Sequence, residues 1–193
     1  MTPFLYVSHP QVRIDPAVPV PDWGLSEQGR ARAEAFAREP ALMAYGRVVS
    51  STEAKARETA AILAAALSLV EEVRPGLHEN DRSATGYLPE AEFQQVANAF
   101  FADPEHSARG WERAVDAQDR IVRGVRLALA EAPGTPTLFV GHGGVGTLLL
   151  CHLAGQTISR AHDQPPVGGG CWFRQTATDA PDRWRSLEEA PLP

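Results

Sequence analysis

Short apolar runs alternate with helix-forming stretches along most of this chain, and that alternation constrains its fold more than any other feature. Phe4-Leu5-Tyr6-Val7-Ser8, Arg47-Val48-Val49-Ser50 and Thr137-Leu138-Phe139-Val140-Gly141 each read as a buried strand, and helical patterns separate them. Strands joined through helices imply crossover connections, so the expected class is α/β with a mainly parallel sheet. The chain of 193 residues is enough for one such domain, and no linker or repeat interrupts it, so residues 1–193 are read as a single unit.

The elements follow in order. A strand over 3–8 leads into a proline-rich loop from Pro10 to Trp23, which is expected to wrap over the strand end. Ser26 caps a helix reaching about Arg38. The strand at 47–50 is followed by Ser50 and Glu53 at capping-box spacing, which predicts a helix through Leu67. Glu71–Arg74 is a weaker strand, and 76–88 is a polar loop. Helices are predicted from Pro89 to about Phe101, from Trp111 to Ala132 and from Gly143 to Ala154. Cys171–Thr176 and Arg183–Leu187 have the pattern of a terminal hairpin.

Composition excludes several classes of function. The formal charge of -6 gives no electrostatic case for nucleic acid or an anionic membrane. No stretch is long and apolar enough to span a bilayer, and the N-terminus lacks the basic start and apolar region of a secretory signal. Cys151 and Cys171 are the only cysteines and lack metal-type spacing, so a reduced, cytoplasmic protein without a structural metal is expected.

Two histidines stand at strand ends, where ligands bind in open α/β sheets. His9 closes the first run and precedes Pro10; His142 closes the run at 137–141 and precedes Gly143-Gly144 and an apolar helix. Imidazole is suited to nucleophilic and acid–base work near neutral pH. The helix start at Gly143 offers free N–H groups to an anion. Residues 50–60, Ser-Ser-Thr-Glu-Ala-Lys-Ala-Arg-Glu-Thr-Ala, also join a strand end to a helix start, with Lys55 one turn in.

Taken in order, these segments resemble the motifs of the histidine phosphatase, or phosphoglycerate mutase-like, superfamily. Leu5-Tyr6-Val7-Ser8-His9-Pro10 is similar to its strand-Arg-His-Gly motif. Leu25-Ser26-Glu27-Gln28-Gly29-Arg30-Ala31-Arg32-Ala33 matches its Leu-Ser/Thr-x-x-Gly-x-x-Gln-Ala helix start, and residues 50–60 match Ser-Ser-Pro-x-x-Arg-Ala-x-Gln-Thr-Ala. Leu77-His78-Glu79 looks like its Leu-x-Glu, and Gly141–Gly144 like its Ser/Gly-His-Gly-Gly. The resemblance implies a three-layer sandwich with helices on both faces of the sheet. It also implies a phosphohistidine mechanism without cofactor or metal, in which His9 is the nucleophile, Glu79 the general acid and His142 the group across the phosphate.

This chain departs from the motifs where they are most cationic. Ser8 and Lys55 stand where the superfamily has arginines, and Pro10 where it has glycine. The phosphate pocket is therefore expected to use Ser8, Lys55, Gly143 and a compensating arginine, with Arg13 the first candidate and Arg82 the second. Residues 88–110 are expected to form a lid. The expected activity is hydrolysis of a phosphorylated small molecule or phosphoprotein. A catalytically weak member that binds such a ligand or a protein partner is the alternative, and mutase-type phosphoryl transfer a further one. Oligomeric state is open, and a homodimer is compatible with the sequence.

Overall fold

The computed structural model describes residues 2–189. Its centre is a six-stranded sheet of β1 (Phe4–Ser8), β2 (Arg47–Ser50), β3 (Glu71–Val73), β4 (Thr137–Gly141), β5 (Cys171–Gln175) and β6 (Arg185–Ser186). The spatial order is β3-β2-β4-β1-β5-β6. The first four strands in that order run parallel, and β5 and β6 join antiparallel as the terminal hairpin.

The helices are α1 (Glu27–Phe36), α2 (Ala54–Leu67), α3 (Glu90–Ala102), α4 (Ala114–Glu131) and α5 (Gly143–Leu153). Side-chain alternation along each strand sends residues to two separate cores. Phe4, Tyr6, Val49 and Phe139 pack with α3, α4 and α5, while Leu5, Val7, Val48, Leu138 and Val140 pack with α1 and α2. This is the three-layer α/β arrangement expected from the motifs. No helix among the described residues is long and apolar enough to cross a membrane.

Ser26 caps α1 as its position predicts, accepting the Gly29 N–H at 3.1 Å. The capping box at Ser50 and Glu53 does not form. The Ser50 hydroxyl donates to Glu71 Oε1 on β3 at 2.5 Å, and Glu53 is itself the N-cap of α2, with its carboxylate turned elsewhere. The helix expected from Trp111 begins at Ala114, because Trp111 is drawn into the core under α3.

The segment before β5 fixes the backbone of His9. Gly170 N–H donates to His9 O at 2.9 Å, and Arg32 on α1 donates to the carbonyls of Val167, Gly169 and Gly170. Gly169 has φ +74°, and a Cβ there would stand 2.5 Å from His9 O. We therefore expect Gly169→Ala to destabilise the fold by more than about 1 kcal/mol, read as a lower urea midpoint. A midpoint equal to wild type would show that this loop does not brace His9.

Candidate active site

Parallel pairing of β1 with β4 sets Ser8 opposite Gly141, so the next residue on each strand is a histidine. His9 N–H donates to Gly141 O at 3.0 Å, and the two imidazoles meet edge to face with centroids 5.3 Å apart. His9 Nδ1 lies 2.9 Å from Pro10 O. A carbonyl only accepts, so Nδ1 carries the proton and Nε2 keeps its lone pair. Burial, helped by His142 and the Lys55 charge, pushes the His9 pKa from 6.5 down to about 3. His9 is thus neutral and oriented at neutral pH, with the Nε2 lone pair free.

His142 is fully buried at the N-cap of α5. Tyr6 Oη accepts its N–H at 3.1 Å and donates to its carbonyl at 3.3 Å. Its Nε2 is 2.7 Å from Ser51 Oγ and 3.6 Å from Glu53 Oε1, and its Nδ1 has no partner. Burial lowers its pKa, against the opposing pull of Glu53 and Glu79.

Glu79 closes the site from the loop after β3. Its carboxylate accepts the N–H groups of Gly144 at 3.1 Å and Val145 at 2.9 Å, the free donors at the start of α5. That approach needs a glycine, since a Cβ on Gly144 would stand 2.7 Å from Glu79 Oε1. Burial alone would raise the Glu79 pKa, but His142, Arg82 and the Val145 amide outweigh it and hold the carboxyl below its ordinary value. Arg120 on α4 fixes the loop, donating to the carbonyls of Gly76, His78 and Glu79 while pairing with Glu112.

His9, Glu79, Asn80 and Arg82 line a cavity of about 580 Å³. Its far wall includes Phe93 and Trp111, over which the Arg82 guanidinium lies at 5.2 and 5.6 Å. The segment 88–110 contributes Glu90, Phe93, Gln94 and Ala97 to this wall, and Trp111 follows it. Phe100 and Phe101 are buried in the core beneath it while also bordering the cavity. Asn80 is buried, and its Nδ2 has no partner. Among the described residues no group of three or more His, Cys, Asp or Glu side chains is placed to hold a metal ion.

Residues 14–180 match the family model of the histidine phosphatase superfamily (branch 1). The chain belongs to this superfamily. The match begins after His9, so it does not depend on the altered Ser-His-Pro segment. Solved structures agree in fold. A mycobacterial glucosyl-3-phosphoglycerate phosphatase in complex with inorganic phosphate is 24% identical, with TM-score 0.77 over 98% of this chain and 100% of that one. YhfR of Bacillus stearothermophilus is 19% identical, with TM-score 0.78 over 100% of this chain and 98% of that one. No curated protein sequence gives a significant match.

For this superfamily member, the structure gathers His9, His142 and Glu79 and redistributes the expected phosphate ligands. Ser8 does not line the cavity. Its buried hydroxyl donates to Gln164 Oε1 at 2.6 Å and accepts the Cys171 N–H at 3.0 Å, tying β1 to β5. Arg13 is exposed on the proline-rich loop and outside the lining. Lys55 is buried near the histidines, but its ammonium is taken by Glu53 Oε2 at 2.5 Å and Val20 O at 2.7 Å. Gly143 lines the cavity at the start of α5, against the Gln164 side chain. Arg82 also lines it and, among the described residues, makes no ion pair, whereas Arg160, also in the lining, pairs with Asp163 at 3.6 Å.

Sequence reasoning missed Ser51, Glu53, Asn80, Arg120 and Gln164 as parts of the site. Ser51 and Glu53 sit inside a recognised motif, but Glu53 reads as the capping partner of Ser50, and nothing in the spacing sets either residue against His142. Gln164 lies in a segment without periodicity, and nothing in the sequence marks it.

The buried histidines make stability depend on pH. His9 titrates at 6.5 when unfolded and about 3 when folded, so between these values the unfolded chain binds more protons and stability rises with pH. Glu53, brought down to about 2 from 4.5, adds its own dependence only below 4.5. From pH 6.5 to 4.5 we expect wild-type unfolding free energy to fall, with up to about 1.4 kcal/mol per pH unit from one proton. His9→Gln should flatten that slope in urea titrations; parallel slopes for both proteins would refute a neutral His9.

Proposed function

We propose that the protein is a metal-independent phosphomonoesterase acting through a phosphohistidine at His9. The observation that carries this reading is a neutral His9, oriented by Pro10 O, facing a cavity it shares with Glu79 and backed by His142. His9 Nε2 attacks phosphorus as the bond to the leaving oxygen breaks, and Glu79 gives that oxygen its proton. Water then attacks the phosphoryl group, Glu79 takes its proton, the P–N bond breaks, and phosphate leaves neutral His9 behind.

Glu79 is ionised in the resting site, so the acid step needs a proton gained with substrate. Phosphate oxygens beside a buried carboxylate raise its pKa by like-charge repulsion, which supplies the direction of that change. The Gly143 amide, Asn80 Nδ2 and Arg82 are the donors offered to the phosphoryl oxygens. The substrate is a phosphate monoester of a small molecule or protein. Its leaving group extends towards Phe93 and Trp111.

Pairing of Lys55 with Glu53 favours a second reading, in which the site binds a phosphorylated ligand and turns it over weakly or not at all. Hydrolysis of 4-nitrophenyl phosphate separates the two. Wild type should exceed His9→Ala by at least two orders of magnitude and form an acid-labile, alkali-stable phosphoprotein on rapid quench. Equal rates for both proteins, together with retained phosphate binding, would leave the binding reading standing.

Arg82→Met should raise KM for the same ester roughly tenfold or more, the worth of one charge-assisted hydrogen bond. The corresponding Arg13→Met should leave KM within twofold. The reverse ranking would return the compensating role to Arg13.

A further inference from the structure

Glu53 has no part in the phosphoryl transfer just described, yet its buried carboxylate touches three of the groups around it. Oε2 pairs with Lys55 at 2.5 Å, and Oε1 accepts the Glu79 N–H at 2.9 Å while lying 3.6 Å from His142 Nε2. Ser51 Oγ, 2.7 Å from the same Nε2, also accepts the Glu53 N–H at 3.3 Å. His142 thus has a hydroxyl and a carboxylate on one side of its ring. Its other nitrogen is buried and unpartnered.

The charges facing His142 come from three elements. His9 approaches from the end of β1, Glu53 and Lys55 from the start of α2, and Glu79 and Arg82 from the loop after β3. Lys55 and Arg82 are cations, Glu53 and Glu79 are anions, and both histidines are neutral, so the cluster carries no net charge. A phosphoryl group brings up to two negative charges into it, with no fixed positive surplus to receive them.

We propose that Glu53 is a positioning residue that lets His142 become imidazolium when a phosphoryl group enters, so that a proton on His142 supplies the positive charge that Lys55 does not. The inference rests on the phosphatase reading. One proton is taken from solvent on binding. Nε2–H then faces Ser51 and Glu53, and Nδ1–H becomes a donor for a phosphoryl oxygen. The proton returns to solvent when phosphate leaves. Lys55, neutralised by the same carboxylate, keeps Glu53 ionised and in place.

The test is Glu53→Gln, which keeps shape and removes charge. An opposite charge within a few ångströms shifts a pKa by a unit or more. The basic limb of kcat against pH should therefore move down by about one unit in Glu53→Gln. Its kcat should fall roughly tenfold below wild type above that limb and converge on it at lower pH. The 15N shifts of His142 in phosphate-loaded wild type at pH 7 should be those of a cation, and in loaded Glu53→Gln those of a neutral ring. A carboxylate that only anchors Lys55 would lower Tm and leave the limb and the shifts unmoved, and that result overturns the inference. A neutral His142 in loaded wild type overturns it without any variant. Wild type that neither binds phosphate nor hydrolyses the ester fails the phosphatase reading itself, and this inference with it.

Discussion

The register of β1 against β4 is the constraint on which the site depends. Ser8 faces Gly141 in a parallel ladder, so both strands release their next residue at the same height, and both residues are histidines. A parallel pair cannot be made by a hairpin, so His9 and His142 reach each other across most of the chain. The backbone bonds from His9 N–H to Gly141 O and from Gly170 N–H to His9 O lock this geometry from both neighbouring strands. Tyr6 adds a third restraint by bonding the His142 backbone in both directions.

Charge in the site is arranged by neutralisation. Lys55 and Glu53 pair within the protein, Glu79 rests on the first amides of α5, and burial keeps both imidazoles neutral. A buried ion pair offsets its own desolvation only when the remaining polar atoms find partners. Here Val20 O and the Glu79 N–H provide them. The unsatisfied groups are informative for the same reason. Asn80 Nδ2 is buried without a partner on a residue that lines the cavity, and His142 Nδ1 is buried without a partner on the ring that meets His9.

Much of the architecture was legible because it depends on local pattern. The strands at 47–50 and 137–141, the Ser26 cap, and the terminal hairpin follow from apolar runs and from side chains that bond within a turn or two. The errors came where a local partner competed with a distant one. Ser50 and Glu53 have capping-box spacing, but Glu71 is a stronger partner for the hydroxyl, and the His142–Lys55 cluster for the carboxylate. Ser8 aligned with a phosphate-binding arginine, but β5 lies beside it and takes its hydroxyl. Nearness to His9 in the sequence puts Arg13 ahead of Arg82, but in the structure Arg82 lines the cavity and Arg13 does not.

The sequence by itself determined the α/β class and the family, and it marked the two histidines and Glu79 as candidates, since these rest on periodicity and motif order. Only the tertiary structure decided where the positive charge goes. Lys55 is spent on Glu53, Arg13 is left at the surface, and Arg82 is brought to the cavity over Phe93 and Trp111. Electrostatic partners are chosen by distance in space, and residues far apart in a sequence carry no mark of that distance.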